Sequence, residues 1–291
     1  MLSRLSRRAC LQLLWLSAGV PAFSQGRFTA RPGNWVCPMD PDYHSDQPGK
    51  CPRCGMTLVL HVPDRVEYPV ELSQSPELLR PNQPARLTFR VLDPATGEVV
   101  KHFAIVHEKL MHLFLVSENL EYFSHNHPVL QSDGAFDLNV VLPMGGMYRT
   151  LADFYPAESV PQLAVNTLFV SGQAPPSRIE ECLLPSKAAN MTASLRMDPP
   201  EPIAGLQSKL FYTLDPADGL ELYLGVWAHM LIASRDLIDM LHVHPFLKDQ
   251  TSTIQFNVIF PRSGLYRIWT QFQRKGVVNT TVFTVSVKDL T

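Results

Sequence analysis

The chain repeats itself in register, and nothing else in the sequence restricts its fold as strongly. Met111-His112-Leu113-Phe114-Leu115-Val116-Ser117 finds its echo in Ala228-His229-Met230-Leu231-Ile232-Ala233-Ser234. His125-Asn126-His127-Pro128 matches His242-Val243-His244-Pro245, again 117 positions later. Pro143 to Arg149 matches Pro261 to Arg267 with one residue inserted. A register kept over this distance indicates a duplicated domain. The 291 residues then divide into two folded units with room for a small extra module.

The repeated unit reads as all-β. Ala85 to Val91 alternates apolar and polar residues, as does part of Phe136 to Leu142, and Val282 to Val287 is rich in β-branched residues. Turn signals lie between such runs, among them Asp133-Gly134 and Ser263-Gly264. Short strands at this spacing suggest a β-sandwich. Gly146-x-Tyr148 and Gly264-x-Tyr266 have the form of a tyrosine corner, while Thr150 and Ile268 stand where an antibody domain carries its second cysteine. The expected class is therefore mainly β: two tandem immunoglobulin-like sandwiches without the disulfide, or two cupredoxin-like sandwiches, preceded by a small metal-stapled Cys module. The boundaries read from the sequence are an export signal over 1–24, the Cys module over 35–60, a first sandwich over 66–171, a linker over 172–190 and a second sandwich over 191–291.

The first segment carries Arg4, Arg7 and Arg8, then an apolar stretch, then Ala22-Phe23-Ser24 as a small-x-small cleavage site. That stretch is short of the ~20 residues a permanent span needs, and no later stretch qualifies. The paired arginines fit either a twin-arginine signal or an ordinary secretory one. Both place the mature chain in a bacterial periplasm or outside the cell. A net charge of −2 argues against a nucleic-acid partner.

Residues 35–60 are too few to bury a core and need a staple. Cys51-Pro52-Arg53-Cys54-Gly55 has metal-knuckle spacing, with Cys37 as a third sulfur. A disulfide between two of the three is the competing reading in an oxidising compartment. Cys37-Pro38-Met39 followed by Pro48-Gly49-Lys50-Cys51-Pro52-Arg53-Cys54-Gly55-Met56 resembles the short heavy-metal-binding domain found beside copper and silver efflux adaptors and copper-transporting ATPases. The resemblance implies metal binding by Cys37, Cys51 and Cys54, with Met39 and Met56 as soft donors. Family members usually have His where this chain has Asp40, so either His44 or Asp40 stands in. Thiolate with thioether favours Cu(I) or Ag(I), and thiolates alone also suit Zn(II).

In a strand, residues two apart share a face. His125 and His127 therefore pair, as do His242 and His244, and a hairpin can add His112 or His229 to make two three-imidazole sets suited to copper or zinc. A buried, hydrogen-bonded structural histidine is the bland alternative for each, since His112 alternates with Phe114 and Val116. Asp153 and Gln271 match each other in otherwise apolar strands and are candidates for orienting those histidines from behind. His61, His102 and His107 lack counterparts in the second copy and read as surface residues. Cys182, in the linker, reads as an incidental or intermolecular thiol.

The chain has no Gly-x-Ser-x-Gly elbow, phosphate-cradling glycine loop or His-Glu-x-x-His helix. The expectation is a non-enzymatic, exported carrier, scavenger or sensor of copper, silver or zinc, partnered by metal ions and by an efflux or delivery protein. The alternative is an extracytoplasmic interaction protein with one structural zinc.

Overall fold

The computed structural model describes residues 35–37, 43–60, 66–157, 159–246 and 253–290. The export-signal segment, Met39, Asp40 and His61 lie outside the described residues. Every regular element among those described is a strand. In chain order they are β1 (Trp35–Val36), β2 (His44–Ser45), β3 (Val59–Leu60), β4 (Val70–Ser75), β5 (Pro84–Val91), β6 (Met111–Ser117), β7 (Phe123–Asn126), β8 (Val129–Leu130), β9 (Ala135–Val141) and β10 (Gly146–Phe154). They continue as β11 (Gln162–Val170), β12 (Ser186–Lys187), β13 (Thr192–Asp198), β14 (Gln207–Asp215), β15 (Leu220–Glu221), β16 (His229–Ser234), β17 (Met240–Val243), β18 (Thr253–Ile259), β19 (Gly264–Arg274) and β20 (Val277–Val287).

The first sandwich pairs its strands in the order β4-β5-β9-β8 in one sheet and β11-β10-β6-β7 in the other. Taking β4 as strand A, this is the immunoglobulin arrangement A-B-E-D over G-F-C-C′. The second sandwich repeats it: β13-β14-β18 carries A, B and E, and β19 lies between β16 and β20 with β17 beyond β16. Strand order thus decides for the immunoglobulin-like reading. Alternating strands feed each core. Leu87, Phe89, Val91, Leu113 and Leu115 pack inside the first, and Leu210, Tyr212, Met230, Ile232 and Phe283 inside the second.

Both tyrosine corners form. Tyr148 donates its hydroxyl proton to the Met144 carbonyl at 2.9 Å, and the Tyr266 hydroxyl lies 2.9 Å from the Arg262 carbonyl. Replacing Tyr148 with Phe leaves the Met144 carbonyl without that donor, and the expected loss is about 1 kcal/mol of stability. A lowered urea midpoint checks this; an unchanged midpoint counts against the corner as a stabilising contact.

The β6–β7 and β16–β17 connections share one turn. The Ser117 hydroxyl donates to Asn119 Oδ1 at 2.6 Å and accepts the Tyr122 N–H. Ser234 makes the same two bonds, to Asp236 Oδ1 and from the Asp239 N–H. Buried Leu120 and Leu237 follow at positive φ, 62° and 55°. This compact turn fixes the hairpin register, with Phe114 opposite His125 and Leu231 opposite His242.

β6 and β16 are buried at every position, on both faces. Strands covered on one side only would alternate. The second face of each is covered by the other sandwich. Phe114, Val116 and Leu151 join Leu231, Ala233, Leu237 and Trp269 in one apolar cluster, and the rings of Phe123 and Trp269 stack at 5.2 Å. The segment expected as a linker contributes Ile179 to this cluster, and Cys182 pairs with Thr284 on β20. The small N-terminal sheet, β2-β1-β3, packs its own cluster of Cys37, Cys51, Cys54, Met56 and Leu58 against Tyr155 and Val106 of the first sandwich.

Candidate metal centre

The Cys pocket is built by a knuckle. The Gly55 N–H donates to the Cys51 carbonyl, and Gly55 takes a φ of 77° that suits glycine. The Cys51 N–H donates to the Met56 carbonyl at 2.8 Å, and the Arg53 N–H reaches Cys51 Sγ at 3.4 Å. The three sulfurs lie within 4.8 Å of one another and are buried. Cys37 Sγ and Cys54 Sγ are 3.3 Å apart, far outside the ~2.05 Å of a covalent bridge. Contact with Cys37 and then burial push the Cys54 thiol up, and burial raises Cys51. Three sulfurs crowded this way ionise readily only around a cation, which deprotonates a coordinating thiol. Met56 is buried beside them. His44 stands exposed on β2, outside this group.

The histidines assemble where the two C–C′ hairpins meet. His112, His125 and His127 bring one ring nitrogen each to within 4.8 Å of one another, and His229, His242 and His244 do the same. The hydrogen bonds behind the rings fix their tautomers. His112 Nε2 donates to the Val106 carbonyl and His229 Nε2 to the Tyr223 carbonyl, both at 3.1 Å. His125 Nδ1 donates to Gln271 Oε1 at 2.8 Å, while Gln271 Nε2 donates to Thr280. His242 Nδ1 donates to the Asp153 carboxylate at 2.7 Å. A neutral imidazole carries one N–H, so the remaining nitrogen of each ring bears a lone pair.

Those lone pairs face one another. His112 Nδ1 lies 3.0 Å from His125 Nε2, and His229 Nδ1 lies 3.3 Å from His242 Nε2. Two acceptors at hydrogen-bond distance need a proton or a cation between them. Burial opposes the proton: it pushes His112 down to about 4 and His127 down to about 3, and holds His125, His229 and His244 well below the usual imidazole range. His127 Nε2 and both His244 nitrogens are buried with no hydrogen-bond partner among the described residues. Buried polar atoms are seldom left so. The donor set therefore fits a metal ion.

Asp153 and Gln271 act across the interface. Asp153 pairs with His112 in its own sheet, yet its carboxylate holds His242 of the other sandwich. Gln271 pairs with His229 and holds His125 of the first.

His107 corrects the sequence reading. It is not a surface residue: its ring lies 4.2 Å from that of His244 and 5.6 Å from that of His229. Its Nε2 is buried without a partner among the described residues, and burial pushes it down to about 3. Only its lack of a repeat counterpart marked it in the sequence, and that pointed the wrong way. His102 is exposed.

Fold and site together define a two-sandwich protein with a heavy-metal-binding Cys module. The chain belongs to the family described as Domain of unknown function (DUF8832), whose model matches residues 62–169 and 187–289. A second model, Heavy metal binding domain, matches residues 34–62. No curated protein matches the chain. Among solved structures, the chain is similar to the Escherichia coli adhesin FdeC at 11% identity and a TM-score of 0.28, covering 79% of this chain and 67% of that one. It is similar to the fibronectin(III)-like modules of Clostridium thermocellum CbhA at 10% identity and a TM-score of 0.22, covering 76% and 95%. The Yersinia pseudotuberculosis adhesin InvE matches at 9% identity and a TM-score of 0.24, covering 75% and 60%. Among the described residues no helix is long and apolar enough to cross a membrane.

Proposed function

We propose that this protein is an exported, non-enzymatic copper-ion carrier or scavenger with two chemically different sites. The observation that carries the reading is the two triads of converging imidazole nitrogens, with facing pairs at 3.0 and 3.3 Å and His127 Nε2 and both His244 nitrogens buried without a partner among the described residues. Imidazoles suit Cu(II), while the thiolates of Cys37, Cys51 and Cys54, with Met56 beside them, suit Cu(I) or Ag(I). Copper is the element that both donor sets accept, each in a different oxidation state; Zn(II) is the competing ion at either.

The placement of the sites supports a carrier or scavenger that holds ions at two neighbouring positions. The Cys cluster packs against Val106 and Tyr155. The Val106 carbonyl holds His112, and Tyr155 lies two residues from Asp153, which holds His242. An efflux or delivery partner docking beside the Cys module would thus reach the sulfur site next to the sandwich that carries the imidazoles. Export is supported by the arginine-led apolar start of the sequence.

Metal content per chain after anaerobic purification tests the proposal. More than one copper ion per chain is expected, with loss of ions in His125→Ala/His127→Ala. One tightly held zinc, unmoved by those changes, would overturn it in favour of an interaction protein with a structural zinc.

A further inference from the structure

We propose that the two histidine triads are the two sides of a single two-ion centre, and that His107 of the first sandwich completes the triad of the second. This rests on the metal-binding reading of the triads.

His112, His125, His229 and His242 come about as close across the interface as His112 does to His125 and His229 to His242. Among the six triad rings, His127 and His244 lie nearest their own partners, at 4.7 and 4.4 Å. His112 and His229 stack at 5.2 Å, His125 and His229 lie at 5.4 Å, and His112 and His242 at 5.7 Å. Within the triads, His112 and His125 lie at 5.3 Å and His229 and His242 at 5.6 Å. No apolar layer separates them. The hydrogen bonds behind His125 and His242 cross the interface, so each half is held in shape by the opposite sandwich. Ligand sets in ring-to-ring contact hold their ions close enough to act as one centre, as paired metal sites do.

The halves are unequal, and His107 is the main reason. Val106 to Lys109 forms a tight turn, with His107 at a φ of 48° and Glu108 at 64°. The same turn recurs 117 residues later from Tyr223 to Val226, with Leu224 and Gly225 at positive φ. Asn, Asp and Gly are the usual residues for such a turn. The first copy instead has a histidine, in the left-handed region, whose ring leaves its own triad. It lies 6.3 Å from His112 but 4.2 Å from His244. Both His244 nitrogens and His107 Nε2 lack partners among the described residues, and His244 is buried to 4% exposure. The second half thus offers three converging imidazoles, a carboxylate behind one of them, and His107 against His244 as the fourth ring that would close the set. The first offers three, with half-buried His127 on its rim, and keeps a position for water or a small anion.

The test is a Cu(II) titration of the full chain carrying Cys37→Ser, Cys51→Ser and Cys54→Ser, so that thiols neither bind nor reduce the ion. Electron paramagnetic resonance and metal content are read together. The first equivalent should give an isolated Cu(II) spectrum. The second should lower the signal well below the copper content and bring up a half-field transition. His107→Asn, which tolerates the left-handed turn, should weaken the tighter equivalent by roughly tenfold or more, at least what loss of an outer-shell partner costs. If the triple variant does not fold, Co(II) loading of the unmodified chain reads the same coupling magnetically, with thiolate sites set apart by their charge-transfer bands. Two uncoupled spectra, or saturation at one ion, overturn the two-ion centre while leaving metal binding by the triads intact. No bound ion at all removes the reading beneath it. An unchanged affinity in His107→Asn overturns the role of that residue.

Discussion

Replacing Asp153 with Ala in the first sandwich is expected to weaken metal binding by the second about 10–100-fold, the usual cost of losing a partner behind a ligating histidine. The carboxylate accepts the Nδ1 proton of His242 at 2.7 Å, which fixes the tautomer that leaves Nε2 bare toward His229. Without it, His242 can rotate or change tautomer, and its buried N–H loses its acceptor at a cost of about 1–3 kcal/mol. Asp153→Asn keeps an acceptor oxygen and should fall between the two, because it reproduces what Gln271 already does for His125. Chelator competition, with circular dichroism as the fold control, measures the effect. An affinity unchanged in Asp153→Ala, with the fold intact, sinks the crossed arrangement as a metal-site device.

Stripping the ion from the Cys pocket is expected to unfold residues 43–60 while both sandwiches persist. The module's buried residues are Cys37, Cys51, Cys54, Met56 and Leu58, with Tyr155 borrowed from the first sandwich. Three of those five are the proposed ligands themselves. A structural ion contributes on the order of 10–16 kcal/mol of apparent binding energy to such modules, far more than this cluster could supply by burial. Hydrogen exchange read by mass spectrometry should show protection across 43–60 that disappears with chelator or in Cys51→Ser. Protection in β6 and β10 should remain, because their bonds belong to the sandwich sheet. Module amides that stay protected without metal would show that the knuckle holds itself.

Much of the fold was legible because duplication prints a pattern twice. The 117-residue register, the Gly-x-Tyr corners and the alternating strands are local statements, and local chemistry decides them. The Cys knuckle was legible for the same reason: two sulfurs three residues apart with glycine behind them can close one turn. The pairing of His125 with His127 follows from the period of a strand.

His112 shows where such reading stops. It shares a face with Phe114 and Val116, and an apolar face with one histidine reads as core. In the structure Met111, Leu113 and Leu115 fill the sandwich core, whereas Phe114 and Val116 meet Leu231 and Trp269 of the other copy. Periodicity distinguishes one face from the other but not what covers it. Asp153 and Gln271 were identifiable as polar groups needing partners, but each finds its partner in the opposite sandwich.

The sequence alone therefore determined the two sandwiches, the sulfur knuckle and the three histidines matched between the copies, since each rests on spacing within a strand or a turn. Only the tertiary structure decided that the two histidine sets meet, that their supports cross, and that His107 belongs among them. Those relations depend on how two apolar sheet faces dock, and docking is fixed by shape across the interface, which no periodicity along the chain records.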